Sequence, residues 1–269
     1  EAALLAEADI AFGNLECPIS HRGTRQRKTY TFRADPSAAS ALARAGFDVL
    51  SLANNHSGDY GDVALLDTLD LLDRAGIQTP GAGRTLADAH TPRILDVRGL
   101  RVAFVGYDRV GPRWLYATET SPGSAYLESA RIAEDIRAAR LQADLVIVSC
   151  HWGVEYSHHA SAAQRREAQA IARAGADLII GQHPHVVQGL AYFQDTLVAY
   201  SLGNFVFDMN VSPAVLESVA LRCLLDRTGV KTVELLPYVI RGYQPSLLPT
   251  EEGRSILEQM ARLSVELPK

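Results

Sequence analysis

The segment Gly181-Gln182-His183-Pro184-His185 sets two imidazoles on either side of a rigid proline. A tight loop of that kind aims two neutral nitrogen ligands at one point, and metal binding is the obvious use of such a pair. Four other segments carry polar residues that packing does not require. Gly13-Asn14-Leu15-Glu16 offers a carboxylate, and Asn54-Asn55-His56 offers amide oxygens with an imidazole that can ligate or move a proton. His151-Trp152-Gly153 closes an apolar run with a histidine, and Ser201-Leu202-Gly203-Asn204-Phe205 follows another. Each alone has a plainer reading. Glu16 and Asn54-Asn55-His56 fit ordinary polar turns, a histidine ending a buried strand is more often structural, Trp152 reads as packing, and Gly203 fits a bulge or bend. Their combination points elsewhere: a carboxylate, an amide and three histidines recur at strand ends, while the other histidines are scattered. A mixed oxygen and nitrogen set suits Mn, Fe or Zn better than Mg or Ca. A pair of such ions positions and activates water at neutral pH.

The elements that must position these residues alternate. Strands are expected at Ile10–Asn14, Phe47–Ala53, Val102–Tyr107, Asp144–Cys150, Asp177–Gly181 and Leu197–Tyr200. Helices are expected at Pro36–Ala45, Asp62–Ala75, Glu128–Leu141 and Ala162–Ala174. In the second of these, Leu65, Leu66, Leu69 and Leu72 form one stripe with Asp67, Asp70 and Asp73 facing away. Gly46, Gly76 and Gly175 each stand just past a helix, where a left-handed cap is cheapest. Towards the end, Glu217–Asp226 and Lys231–Ile240 read as a hairpin turning at Arg227-Thr228-Gly229, with a helix from about Glu252 to Leu263. This is an α/β pattern with mixed sheets, and residues 1–269 read as one domain without repeat or linker. In such folds ligands sit outside the carboxyl ends of strands, where the motifs fall.

Composition narrows the classes. With 269 residues and 47% hydrophobic content, the chain has material for a large core. Its net charge is −5 and its most basic stretch, His21–Lys28, is short. A nucleic-acid surface is therefore not expected, and that stretch reads as a solvated loop or the flank of an anionic substrate. No apolar run reaches membrane-spanning length. The three cysteines lie far apart and read as small buried residues rather than a disulfide framework.

In order and spacing, Asn14-Leu15-Glu16, Asn54-Asn55-His56, His151-Trp-Gly-Val-Glu-Tyr156, Gly181-Gln-His-Pro-His-Val186 and Tyr200-Ser-Leu-Gly-Asn-Phe205 resemble the motifs of the CapA family of poly-γ-glutamate capsule synthesis. Tyr30-Thr-Phe-Arg33 is also similar to its pattern. The resemblance covers roughly Ala8 to Asp208. It implies a calcineurin-like phosphoesterase fold, a four-layer α/β/β/α sandwich with two mixed sheets and a divalent-metal site at the sheet edge. It further implies that Glu16 bridges or binds metal, that Asn55, His151 and His183 ligate one ion, and that His185 ligates a second. His56 resembles the family's acid/base histidine, and His183 is a second candidate for proton transfer. Arg33 and Asn204 are the implied holders of a substrate carboxylate or phosphate, with Asn14 supporting a ligand from behind.

Two departures stand out. Gln182 occupies a position where the family often has histidine. The family also opens on a strand ending in Gly-Asp, with that Asp a ligand, and this chain begins after it; either the sequence is a piece of a longer protein or one metal position is impaired, and a piece of a longer protein is the expectation. Three functions remain open: metal-dependent hydrolysis of a phosphoester or of a poly-γ-glutamate or peptide substrate; epimerisation at a peptide α-carbon, with His56 or His183 moving the proton; and non-catalytic polymer binding in capsule assembly.

Overall fold

A computed structural model describes residues 2–264. The elements in chain order are α1 (Ala2–Glu7), β1 (Phe12–Asn14), α2 (Ser37–Ala45), β2 (Val49–Ser51), α3 (Asp62–Arg74), β3 (Ala82–Gly83), α4 (Leu86–His90), β4 (Arg93–Val97), β5 (Leu100–Asp108), β6 (Gly123–Ser124) and α5 (Ser129–Arg140). They continue with β7 (Leu145–His151), α6 (Ala162–Ala174), β8 (Leu178–Gln182), β9 (Leu190–Phe193), β10 (Thr196–Ala199), β11 (Glu217–Asp226), β12 (Gly229–Arg241), β13 (Gln244–Leu247) and α7 (Thr250–Leu263).

The principal sheet has six strands in the order β4-β5-β7-β8-β10-β9. Its four middle strands are parallel, and the edge strands β4 and β9 run antiparallel to them. Strand β7 is buried at every residue, because both faces of a central parallel strand are covered. On one face Val105, Tyr107, Val148 and Ile179 pack against Ile132 and Ile136 of α5 and Ile171 of α6. On the other face Val102, Phe104, Leu145, Ile147, Leu178 and Ile180 meet Val219 of β11, Ile256 and Met260 of α7, and Phe12 of β1. A third cluster joins Leu50 of β2 to Leu65, Leu69 and Leu72 of α3. The layers are therefore α5 and α6, the six-stranded sheet, a second β layer, and the α2–α3 pair.

That second layer differs from the single mixed sheet expected. Among the described residues it consists of a parallel pair, β1-β2, and a separate antiparallel meander, β11-β12-β13. The missed strands β3, β4, β6, β9 and β13 are short or lie at edges, where few residues carry a periodic signal. Left-handed caps occur at Gly46 (φ 100°) and Gly175 (φ 108°). The start of α6 is fixed by a reciprocal pair in which Ser161 caps the Gln164 amide and Gln164 returns the bond. No helix of the described residues is long and apolar enough to cross a membrane.

Candidate metal centre

Register and alternation bring the motifs together. Asp108, His151 and Gln182 end β5, β7 and β8 and are direct neighbours across the ladder. By period-two alternation from Phe104, Ile147 and Ile180, all three belong to the face that looks at the second β layer. Glu16 follows β1, and Asn54 and Asn55 follow β2. The ring of Phe12 stacks on that of Phe104 at 5.8 Å, so β1 and β5 face one another below the site.

Glu16 is the hub. Its Oε1 lies 3.5 Å from His151 Nε2 and 3.9 Å from His185 Nε2. A carboxylate oxygen of Glu16 and one nitrogen each of His183 and His185 lie within 4.8 Å of one another. Asn55 Oδ1 is 2.9 Å from His151 Nε2. The His151 and His183 rings are 4.9 Å apart, and His183 and His185 are 6.0 Å apart. Asn14 Nδ2 donates to Glu16 Oε2 at 3.0 Å, and Asn54 Nδ2 donates to Asn14 Oδ1 at 3.1 Å and to the Leu15 carbonyl at 2.8 Å. This amide chain holds the carboxylate from behind.

The loop that carries two of these histidines is strained. His183 (φ 98°) and His185 (φ 61°) both adopt left-handed backbone, costly for any residue with a Cβ. The turn is held from outside: the Tyr156 amide donates to the Pro184 carbonyl at 2.8 Å, and the Trp152 amide donates to the Gln182 carbonyl at 3.1 Å. Gln182 itself turns away to Ser149 and the Ile180 carbonyl.

Electrostatics and unpaired atoms agree with a cation here. Glu16 Oε1, His151 Nδ1 and His183 Nδ1 are sealed from solvent without a hydrogen-bond partner, a costly condition in a folded protein. Burial, then the nearby Asp108 and Glu155 charges, push the Glu16 carboxyl up to about 8. Burial pushes Asp108 up to about 6 against the pull of the Val110 and Gly111 amides. Burial and the neighbouring imidazoles push His183 down to about 4, and His151 and His185 also shift down. Neutral imidazoles and a carboxylate lacking a counter-charge form a donor set suited to a divalent ion.

His56 stands beside this cluster with its own partners. Its Nδ1 lies 2.7 Å from Asp59 Oδ2. Lys28 Nζ donates to Asp59 Oδ1 at 2.5 Å and to the Asn55 carbonyl at 2.6 Å. The Phe32 ring lies 4.5 Å from His56, and Phe207 lies 5.2 Å from His185.

The two residues expected to hold substrate are placed differently from each other. Asn204 Oδ1 is 2.9 Å from His185 Nδ1, and its Nδ2 donates to the Val215 carbonyl at 2.9 Å. Both ends of that amide are taken by protein, so Asn204 orients a candidate ligand. Arg33 is exposed, with its guanidinium 4.1 Å above the Tyr60 ring. Asp59, Lys28 and Asp108 were not singled out from sequence. Asp59 carried a usable signal, three residues after His56, and Asp108 ends an apolar strand as the recognised residues do. Lys28 lies in the stretch read as a solvated loop or the flank of an anionic substrate.

The family model described as bacterial capsule synthesis protein PGA_cap matches residues 2–209. The capsule biosynthesis protein CapA of Bacillus anthracis is 33% identical over 249 residues, 90% of this chain and 60% of its own length. The PGA biosynthesis protein CapA of Bacillus subtilis is 31% identical, over 89% of this chain and 63% of its own length. The chain thus spans less than two thirds of either relative. Among solved structures, a 5′-nucleotidase precursor from Thermus thermophilus superposes with a TM-score of 0.50 at 15% identity, covering 84% of this chain and 45% of that one. The fold is that of the calcineurin-like metallophosphoesterases, and the chain belongs to the CapA family of bacterial capsule synthesis proteins.

Proposed function

We propose that this chain is the catalytic part of a divalent-metal hydrolase acting on an anionic substrate, either a phosphoester or a γ-linked polyglutamate or peptide. The observation that carries this reading is the sealed, unpartnered Glu16 Oε1 set among the nitrogens of His151 and His185. Glu16, Asn55, His151, His183 and His185 are the residues that would hold metal. Divalent ions held there, most simply two of Mn, Fe or Zn, supply Lewis acidity and a water of lowered pKa.

The chain's own residues supply the rest. With Nδ1–H of His56 donated to Asp59, Nε2 is the nitrogen that faces chemistry, accepting a proton when the ring is neutral and handing one to the leaving group when the ring is the imidazolium that Asp59 supports. Phe32 and Phe207 cover His56 and His185 and keep bulk water from them. Arg33, exposed near the same loop, is the proposed contact for a substrate carboxylate or phosphate. His183 belongs with the ligands in this reading rather than with the proton carriers, because it lies with Glu16 and His185.

The test is elemental analysis of purified protein beside His185→Ala. About two metals per chain, falling in the variant, supports the centre; no metal in either ends the proposal. Metal-loaded protein would then be assayed on an aryl phosphodiester and on poly-γ-glutamate, whose class the relatives' names supply. Deuterium uptake from heavy water into uncleaved polymer would replace hydrolysis with epimerisation. Polymer binding that survives His151→Ala and His185→Ala, with no turnover, would replace it with assembly.

A further inference from the structure

We infer that Asp108 is a positioning residue of the metal centre, a carboxylate set behind the ligand atoms whose charge balances a bound dication. This rests on the metal-centre reading above and goes beyond its ligand set.

Three observations support it. The first is placement. Asp108 pairs in register with His151 and shares its sheet face. Phe12 and Phe104 stack, and Glu16, just past β1, and Asp108, at the end of β5, each lie four residues beyond them.

The second is isolation. Asp108 is fully buried, and among the described residues it forms no ion pair. Its oxygens accept only the Val110 amide at 2.9 Å and the Gly111 amide at 3.1 and 3.2 Å. A buried carboxylate without a counter-charge is costly and is seldom kept without one.

The third is charge balance. Asp59, Glu16 and Asp108 are the acidic groups drawn into the site, and Glu155 is exposed beside it. Lys28, the nearby ammonium, is committed to Asp59. Once ionised, Glu16 and Asp108 add two negative charges that no Lys or Arg ion-pairs among the described residues, which offsets the charge of one of the divalent ions proposed for the site.

A simpler role competes. Asp108 caps the turn at Val110 and Gly111, and a Cβ on Gly111 would come within 2.3 Å of its Oδ2. A turn of that kind needs an acceptor and not a charge, and an asparagine supplies the acceptor.

Asp108→Asn therefore separates the two. Mn or Zn affinity would be measured by calorimetry, and melting would be followed on the metal-free proteins. The expected result is a metal-free variant at least as stable as the parent, with divalent-ion affinity lowered ~10-fold or more. Unchanged affinity overturns the inference and leaves Asp108 as a turn anchor. If the asparagine variant does not fold, Asp108→Ser, which keeps a short acceptor, is read the same way. A parent that binds no metal overturns the metal-centre reading and this inference with it.

Discussion

Nδ1 of His185 lies 2.9 Å from Oδ1 of Asn204, and that contact decides which ring nitrogen faces Glu16. The Asn204 amide cannot rotate freely, because its Nδ2 donates to the Val215 carbonyl. Its oxygen therefore accepts a hydrogen bond from Nδ1–H, and Nε2 is left with the free lone pair 3.9 Å from Glu16 Oε1. Partners that fix a ligating imidazole in this way are commonly worth a factor of ~10–100 in metal affinity. Asn204→Ala is expected to weaken metal binding by about that factor while retaining the fold. A titration showing parent-like affinity would return Asn204 to the role of substrate contact.

Lys28 offers a stability prediction at the edge of the same site. Its ammonium is held by Asp59 and the Asn55 carbonyl, and the Asp59 side chain is wholly buried. Removing the cation leaves Asp59 supported by His56 and the Phe32 amide alone. Breaking one partner of a buried pair typically costs ~3 kcal/mol or more. Lys28→Met should lose about that much in urea denaturation, and the Lys28→Met, Asp59→Asn double variant should lose clearly less than the sum of the singles. A loss below ~1 kcal/mol in Lys28→Met would show the lysine to be a solvated surface group.

How far the sequence revealed this arrangement depends on how local each signal is. The leucine stripe of α3 and the apolar runs of β5, β7 and β8 encode their own structure, and their boundaries moved by only a residue or two. Polar residues ending those strands marked the site, because packing gave no reason for them. The role of Lys28 was not legible, because it is made by Asp59, 31 residues away. The contacts of Asn204 were not legible for the same reason: its partners His185 and Val215 come from segments 19 and 11 residues distant. The division of the second β layer into two sheets depends on long-range pairing that no local pattern specifies.

The pH dependence of the metal-free protein follows from opposite shifts. The Glu16 carboxyl is raised from 4.5 to about 8, so the folded chain holds that proton more tightly than the unfolded one. Its stabilising contribution is full below 4.5 and is lost as pH rises towards 8. His183 is lowered from 6.5 to about 4, so its contribution is full above 6.5 and is lost as pH falls towards 4. Glu16→Gln should abolish the loss on the alkaline side and leave the acid limb in place, read from melting temperature against pH. At pH 7 the parent should also release about one proton on binding metal, seen as a buffer-dependent calorimetric heat. Identical alkaline limbs in parent and variant would contradict the Glu16 assignment.

Gly181 links the core to the histidine loop, and it gives the sharpest structural test. A Cβ there would sit 2.0 Å from the Tyr200 carbonyl oxygen and 2.4 Å from Trp152 Nε1. Those two atoms are joined by a 3.0 Å hydrogen bond, with Trp152 donating. Neither can yield easily: one is backbone of the chain leaving β10, and the other belongs to a fully buried indole. The added methyl must therefore push β8 away from that bond. Two residues further on stands His183, already in left-handed backbone. A small displacement at Gly181 is thus passed to a loop that has no relaxed conformation to fall back on. Gly181→Ala should lower stability by about 2 kcal/mol or more, shift the Trp152 near-ultraviolet signal, and weaken metal binding together. A variant that loses stability but keeps parent-like metal affinity would show that the loop is set by its own Tyr156–Pro184 contact rather than by the strand beneath it.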